Sequence, residues 1–410
     1  MQISKFRNRT KFILKLILFS LAFIVFWNYF TDWYLSKIKD PILTYNLNLE
    51  AFSGEDEVSE IIAKKLATEL GNQIIIASPQ RISPFSIAQI YFDLPRKNWV
   101  WLEYFKFNFD LINYMFRRLN DTPPYGGFIL FDYNVGNYSL KQYKNYIAYL
   151  KKIYRIKIQI TFSEKDKSPM NIVIYPWIVA DCNVSLSKNS YCRNFRLKEM
   201  VKNIELEKLY SELGLNSPLS PSIDMLEFKK CSEADPVLQN IVKSMYSHNQ
   251  LPVLKHFLYN SKKIDVHDGN YRDFRNLNEI KRDAHCYKVI DALGIPYAIM
   301  PSHFYLNEID DQNINTRSKK FQSFIRENFK NAYTISDEIS MKGYSANENF
   351  SKRVSTNSSD MLLVHGGTIK FWKRKQILDG VKEIDREIII EKIKRTLELK
   401  KFYGLVEFSH

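Results

Sequence analysis

Glycine and proline are scarce in this chain, 13 and 14 among 410 residues, and there are only four cysteines. The first shortage excludes a collagen-like or low-complexity chain, which needs far more of both residues. The second excludes a disulfide-dense mini-domain, and no CxxC or Cys/His spacing points to zinc, so neither a metal nor a cofactor is expected. Internal repeats are absent, as are helix-turn-helix, zinc-finger and RNP patterns. Acidic residues are also outnumbered, 45 against 59 Lys and Arg, giving a net charge of +14. That charge sits mostly on scattered lysines. It suits an anionic envelope or membrane at least as well as nucleic acid, and no nucleic-acid partner is expected.

What is present is globular. Hydrophobic residues make up 45% and aromatics 14%, and 410 residues can bury a sizeable core. The first 15 residues carry Lys5, Arg7, Arg9, Lys11 and Lys15 without an acid, and an apolar stretch from Phe12 to Phe30 follows. Trp27, Tyr29, Phe30, Trp33 and Tyr34 form an interfacial aromatic belt around its end. With Lys15 snorkelling, the stretch is long enough to span a bilayer. No small-residue cleavage site follows, so residues 1–35 are read as a basic cytoplasmic tail and an uncleaved signal anchor. The positive-inside rule then places the remainder across the inner membrane, in the periplasm. Residues 36–56 read as a polar linker.

Beyond residue 57 short β-rich runs alternate with amphipathic stretches. The runs are 72–78, 126–132, 156–163, 219–225, 251–257, 295–304, 332–338 and 360–367, and helical spacing marks 139–153, 196–213, 235–248, 276–293, 318–329 and 383–402. Eight strands alternating with helices predict an α/β fold, a (β/α)8 TIM-type barrel over 57–410 behind the transmembrane helix. An insertion at about 79–125 interrupts it. Its segment 98–119, NWVWLEYFKFNFDLINYMFRRL, is either a packed extra helix or an aromatic face for a protein partner or a membrane. Cys182 and Cys192, with nine residues between them in a polar stretch, either close a small disulfide loop or stay unpaired, while Cys231 and Cys286 read as lone thiols.

In a barrel of this kind the chemistry lies at the C-terminal ends of the strands. Lys255 and His256 end the fifth run, His303 the sixth, Asp337 the seventh and His365 the eighth. In LPVLKHFLYNSKKIDVH, residues 251–267, Asp265 stands two residues before His267, a spacing that lets the carboxylate orient the imidazole for proton transfer. Alone, Asp-x-His is a weak signal. In TISDEISMKG, Asp337 and Glu338 end a β-branched run, which fits either chemistry or a solvated turn.

Taken together these segments resemble glycoside hydrolase family 3, in its bacterial β-N-acetylglucosaminidase branch. That branch has a K-H-F-P-G-H-G loop running into D-S-H, a GV..VM.AH strand, an S-D-D-L-x-M strand and a G-x-D-M-L-L strand. Their counterparts here are KHF with DVH, IPYAIMPSHF, ISDEISM and SSDMLL, in the same order. GGFILFDYN (126–134) and SPSIDM (220–225) are similar to the family's second strand and its P-x-x-D element. The resemblance implies that Asp337 is a nucleophile, His267 the acid/base and Asp265 its orienting partner. It further implies that Lys255 and His256 grip sugar hydroxyls, that His303 lines the rim and that Asp224 is a buried structural acid. The match is incomplete. LYNSK replaces the glycine-containing loop, Lys230 stands where the family has an arginine, and the V-D-Q-E-G-G-R element falls on FSEKDK, so that its sugar-binding acid falls on Ser163 or is lost. Lysine keeps the charge and loses the bidentate fork. The expected function is a membrane-anchored β-N-acetylglucosaminidase acting on peptidoglycan-type glycan. The alternative is a pseudo-hydrolase that binds glycan or an envelope complex, and a phosphorylase is a variant of the enzyme reading.

Overall fold

The computed structural model describes Ala22 and residues 43–49, 57–77, 125–130, 140–163, 168–180, 206–223, 235–258, 271–344, 348–364 and 371–409. The expected anchor at 12–30, the aromatic segment 98–119, and Cys182, Cys192, Cys231, Asp224, Lys230, Asp265, His267 and His365 lie outside them. Among the described residues no helix is long and apolar enough to cross a membrane.

In chain order the strands are β1 (Leu43–Leu49), β2 (Ile75–Ala77), β3 (Gly127–Leu130), β4 (Ile156–Phe162), β5 (Met170–Ile174), β6 (Trp177–Ala180) and β7 (Val253–Phe257). They continue with β8 (Arg272–Asp273), β9 (Tyr297–Pro301), β10 (Tyr305–Leu306), β11 (Ala332–Thr334), β12 (Leu362–Val364) and β13 (Val406–Ser409). The helices used below are α1 (Val58–Lys65), α2 (Leu140–Tyr154), α3 (Leu206–Leu213), α4 (Asp235–Ser247), α5 (Leu277–Asp283) and α6 (His285–Asp291). They are followed by α7 (Lys319–Asn328), α8 (Phe350–Ser355), α9 (Phe371–Lys382) and α10 (Arg386–Phe402). Four begin at side-chain caps: Asn276, Ser318, Asn349 and Asp385 accept from backbone N–H groups of the first turn. At α5 the cap is a full box, with Glu279 returning a bond to the Asn276 N–H.

Parallel pairing joins β12, β2, β3 and β6 in one sheet and β11, β9 and β7 in another. Parallel bridges link the two, Val179 to Ser217 and Ser222 to Lys255 on one side and Ile335 to Met361 on the other. The pairings therefore return on themselves through eight positions, with residues 216–222 as the fourth. That segment is no regular strand. It gives Ser217 O to Ala180 N at 2.9 Å, Ser220 O to Val253 N at 2.8 Å and Pro221 O to Lys255 N at 3.0 Å.

Two expectations need correction. The run 156–163 is a strand, but it belongs to a separate sheet ordered β1-β4-β5-β13, and β6 holds the third position of the ring. Alternation explains the difference: β4 and β5 bury every second residue, as a sheet with one covered face does, whereas β2, β3, β6, β9 and β12 are buried throughout, as strands covered on both faces are. The stretch read as a linker also contains β1, which pairs in parallel with β4 over seven residues.

The core has three parts. Ile76, Ile129, Trp177, Val179, Val253, Ala298, Met300, Ile335 and Leu363 meet inside the ring, with Leu399, Tyr403 and Leu405 from the end of α10 and beyond. A second cluster is built on Phe257, whose ring centre lies 4.7 Å from Tyr287, 5.4 Å from Phe321 and 6.1 Å from Phe329. Burying such a side chain stabilises by about 1.5–3 kcal/mol, and edge-on ring pairs add to it. The third and largest cluster joins β4 and β5 to α1, α2 and α10.

Cys286, on α6, is fully buried and disulfide-bonded, contrary to its reading as a lone thiol.

Candidate active site

The segment after β11 is stitched to β12. Ser336 N donates to Met361 O at 2.8 Å, Leu363 N donates to Ser336 Oγ at 3.1 Å, and Ile339 N donates to Leu363 O at 3.1 Å. Asp337 therefore leaves the end of a strand on a fixed backbone, and only 6% of it is exposed. Its Oδ1 accepts the Glu338 N–H at 2.7 Å. Its Oδ2 is buried and accepts no hydrogen bond among the described residues. A buried carboxylate oxygen without a donor is costly, and Glu338 Oε2 shares that condition; what sets Asp337 Oδ2 apart is the imidazole beside it.

The His256 imidazole faces it, with Nε2 3.7 Å from Asp337 Oδ2. Lys255 and His256 sit where the register of β7 on β9 shifts, and the peptides Lys255–His256 and Phe257–Leu258 are cis. The Tyr287 hydroxyl donates to His256 O at 3.2 Å, tying this backbone to the aromatic cluster beneath it. Lys255 is 5% exposed. The structure thus brings together, at the C-terminal ends of β7 and β11, two groups that the sequence separates by about eighty residues.

Glu338 turns away from this pair. Its Oε1 accepts from Ser340 N at 2.8 Å, so its carboxylate closes the local turn. His303, which the family pattern puts at the rim, is 1% exposed and packs behind Asp337. Its Nε2 is 2.8 Å from Glu338 O and its Nδ1 is 3.0 Å from Thr316 Oγ1.

Ser163 is elsewhere. It follows β4 in the separate sheet, is exposed, and donates through its backbone to Leu49 O at 3.0 Å. The residue that follows the third ring strand is Asp181, itself outside the described residues. Sequence reasoning missed it because WIVA is only four residues long, beside the longer and more regular alternation of β4. The signal was there: an apolar run between Pro176 and an acid. No group of three or more His, Cys, Asp or Glu among the described residues is placed to hold a metal.

A cavity of about 950 Å³ lies away from this pair, between α7, the C-terminal side of α8 and the start of α10. Arg317, Lys319, Gln322, Arg326, Asp385 and Lys392 are among its walls.

This α/β arrangement is the fold of family 3 glycoside hydrolases. A family 3 β-N-acetylglucosaminidase from Paenibacillus sp. str. FPU-7 superposes with a TM-score of 0.58 at 15% identity, over 83% of this chain and 63% of its own. The β-glucoside phosphorylase BglX aligns with a TM-score of 0.55 at 13% identity, over 85% of this chain and 61% of its own. LpqI of M tuberculosis aligns with a TM-score of 0.53 at 13% identity, over 88% of this chain and 98% of its own. The chain thus spans less than two thirds of the first two and almost all of the third. No family model and no curated protein sequence matches it.

Proposed function

We propose that this chain is a divergent family 3 glycosidase, a retaining β-N-acetylglucosaminidase built on a (β/α)8 barrel. The observation that carries the reading is Asp337: a buried carboxylate just after β11 with one oxygen held by a backbone N–H and the other accepting no hydrogen bond among the described residues, 3.7 Å from His256. Three further features support it. They are the order of the family's elements along the sequence, the closed run of parallel pairings, and the likeness to family 3 structures.

In the proposed reaction Asp337 Oδ2 attacks the anomeric carbon while His267, oriented by Asp265, gives its proton to the glycosidic oxygen. The C1–O bond breaks, the alcohol leaves, and a glycosyl ester on Asp337 remains. His267 then takes a proton from water, the resulting hydroxide attacks C1, and the ester bond breaks to restore the carboxylate. Lys255 and His256 hold sugar hydroxyls. Asp181 replaces Ser163 as the candidate for the acidic position after the third strand, and Lys230 supplies positive charge where the family has arginine.

The substrate we propose is a β-linked N-acetylhexosamine glycan of the peptidoglycan type, met in the periplasm by a domain anchored through residues 12–30. The disulfide at Cys286 supports an oxidising compartment.

The test is cleavage of an aryl β-N-acetylglucosaminide by the full chain in detergent, beside Asp337→Asn and His267→Ala. Each variant is expected to lose at least about a hundredfold in kcat. Undiminished turnover in Asp337→Asn would sink the assignment. Glycan binding without any cleavage would leave a binding protein instead. Product analysis with and without phosphate separates hydrolysis from the phosphorolysis that the likeness to BglX makes worth measuring.

A further inference from the structure

We propose that His303 is a positioning residue for Asp337. It fixes the peptide behind that carboxylate and so sets the direction of Oδ2, and the proposal rests on the glycosidase reading above.

On its N-terminal side Asp337 is secured by the bonds between Ser336 and β12. On its C-terminal side the hold on the carboxylate is the Glu338 N–H, 2.7 Å from Oδ1. Whatever fixes the backbone of Glu338 therefore fixes the carboxylate. Within the turn the Glu338 side chain accepts from Ser340 N and Glu338 O accepts from Met341 N at 3.2 Å, and both bonds move with the turn they close. From outside the turn the Glu338–Ile339 peptide is held at both ends, its N–H donating to Leu363 O at 3.1 Å and its carbonyl accepting from His303 Nε2 at 2.8 Å.

The ring has a defined state. A carbonyl oxygen only accepts, so Nε2 carries the hydrogen, and in the neutral ring the Thr316 hydroxyl donates to Nδ1 at 3.0 Å. Thr316 is fully buried, and the His303 ring stands edge-on to Tyr344, with centres 5.2 Å apart and planes at 89°. Neither the tautomer nor the orientation is free. The next carbonyl, Ile339 O, accepts from Arg353 Nη1 at 2.9 Å, and Tyr344 in turn donates to Arg353 O at 2.6 Å. Two successive carbonyls behind Asp337 are thus clamped from inside the fold. Without His303 the Glu338–Ile339 peptide is left with Leu363 O on its N–H and the longer Met341 bond on its carbonyl, and a tilt about the Leu363 bond carries with it the N–H that holds Oδ1.

The experiment compares His303→Leu, His303→Gln and Thr316→Val in the full chain. With the aryl glycoside, His303→Leu is expected to lower kcat by about 10–100-fold while KM stays within roughly twofold, because a carboxylate turned off its line of attack costs rate rather than binding. His303→Gln keeps an N–H for Glu338 O and is expected to recover about half of that loss on a logarithmic scale, at a urea midpoint matching that of the leucine variant. Thr316→Val leaves the donor but frees the tautomer, and a loss of roughly three- to tenfold is expected. A native kcat in His303→Leu, a KM that rises as far as kcat falls, or a Gln variant no better than Leu overturns the proposal. Crystal structures of the native chain and of the leucine and glutamine variants read the Oδ1 to Glu338 N distance without any activity. It is expected to leave hydrogen-bonding range in the leucine variant and to be kept with glutamine. If the native chain cleaves no glycoside the hydrolase reading falls alone, and an unchanged distance in His303→Leu defeats this one. Should the leucine variant not fold, the glutamine and valine variants decide by the same measurements.

Discussion

Asp360 shows how a buried charge is kept charged. Its side chain is 1% exposed, and burial alone would raise its pKa, yet Arg395 and Arg326 hold it below the usual carboxylate range, together with the Thr334 N–H. These bonds join β12 to α7, α10 and β11. A carboxyl whose folded pKa is depressed contributes stability that is present above the unfolded value, about 3.9, and is lost as pH falls through the folded value. Asp360→Asn is expected to cost about 3 kcal/mol at pH 7 and to flatten the acid limb, read by urea unfolding between pH 3 and pH 7. Lys400 is the opposite case. It is fully buried, donates to Gln73 Oε1 at 2.9 Å, and burial brings its pKa down to about 7. The unfolded chain binds a proton there up to about pH 10.4, so native stability rises with pH across the window from 7 to 10.4. Lys400→Met is expected to raise stability at pH 7 by on the order of 2–4 kcal/mol and to reduce that slope. Some slope remains, because burial also brings Lys392 down to about 8, although its ammonium donates to the carbonyls of Asn357 and Ser359. A flat native profile between pH 7 and pH 10 would show that Lys400 is hydrated in solution.

At the scale of elements, the start of β3 depends on two glycines. A Cβ at Gly126 would lie 1.6 Å from Gln73 O, and one at Gly127 would lie 2.6 Å from Trp177 Cβ, so β3 fits between its neighbours only without side chains there. Gly126→Ala is expected to force β3 away from the turn before β2 and to cost at least about 3 kcal/mol, seen as a lower urea midpoint or loss of soluble protein. A native midpoint would mean that the turn yields. The GG of GGFILFD was legible as the start of a strand, and its packing reason was not. β7, β9, β11 and β12 were legible because apolar runs end in polar residues, and α5, α7 and α10 from their helical spacing, whereas α8, six residues long, lay outside every periodic stretch. The fourth ring position was legible only as a run, since residues 216–222 pair through bridges that no periodicity announces. β4 drew attention away from β6 because alternation is a stronger local signal than four buried residues, although the ring uses the weaker one. At the candidate site, the strand-end positions of Lys255, His256 and Asp337 were legible, while the brace from His303 and Arg353 was not. Nothing in sequence links residue 353 to the carbonyl of residue 339.

On the scale of the molecule, α10 packs against α1 across the step from β12 to β2, with Lys394 Nζ 3.3 Å from Glu60 Oε2. The compartment has its own test at this scale. Peptide mapping under denaturing, non-reducing conditions is expected to recover Cys286 only in a disulfide-linked peptide when the chain is exported, and its alkylation before reduction would argue against an oxidising location.

β1 precedes every strand of the ring and β13 follows them all, yet both belong to the sheet built around β4 and β5. A pull along the residues that lead into β1 is met in shear by its seven pairings with β4 before any of it reaches Asp337. Placed so, the side sheet is a strain relief by geometry, in the way a clamp protects a cable's solder joint, standing between a tug on the chain and the rim that carries Asp337.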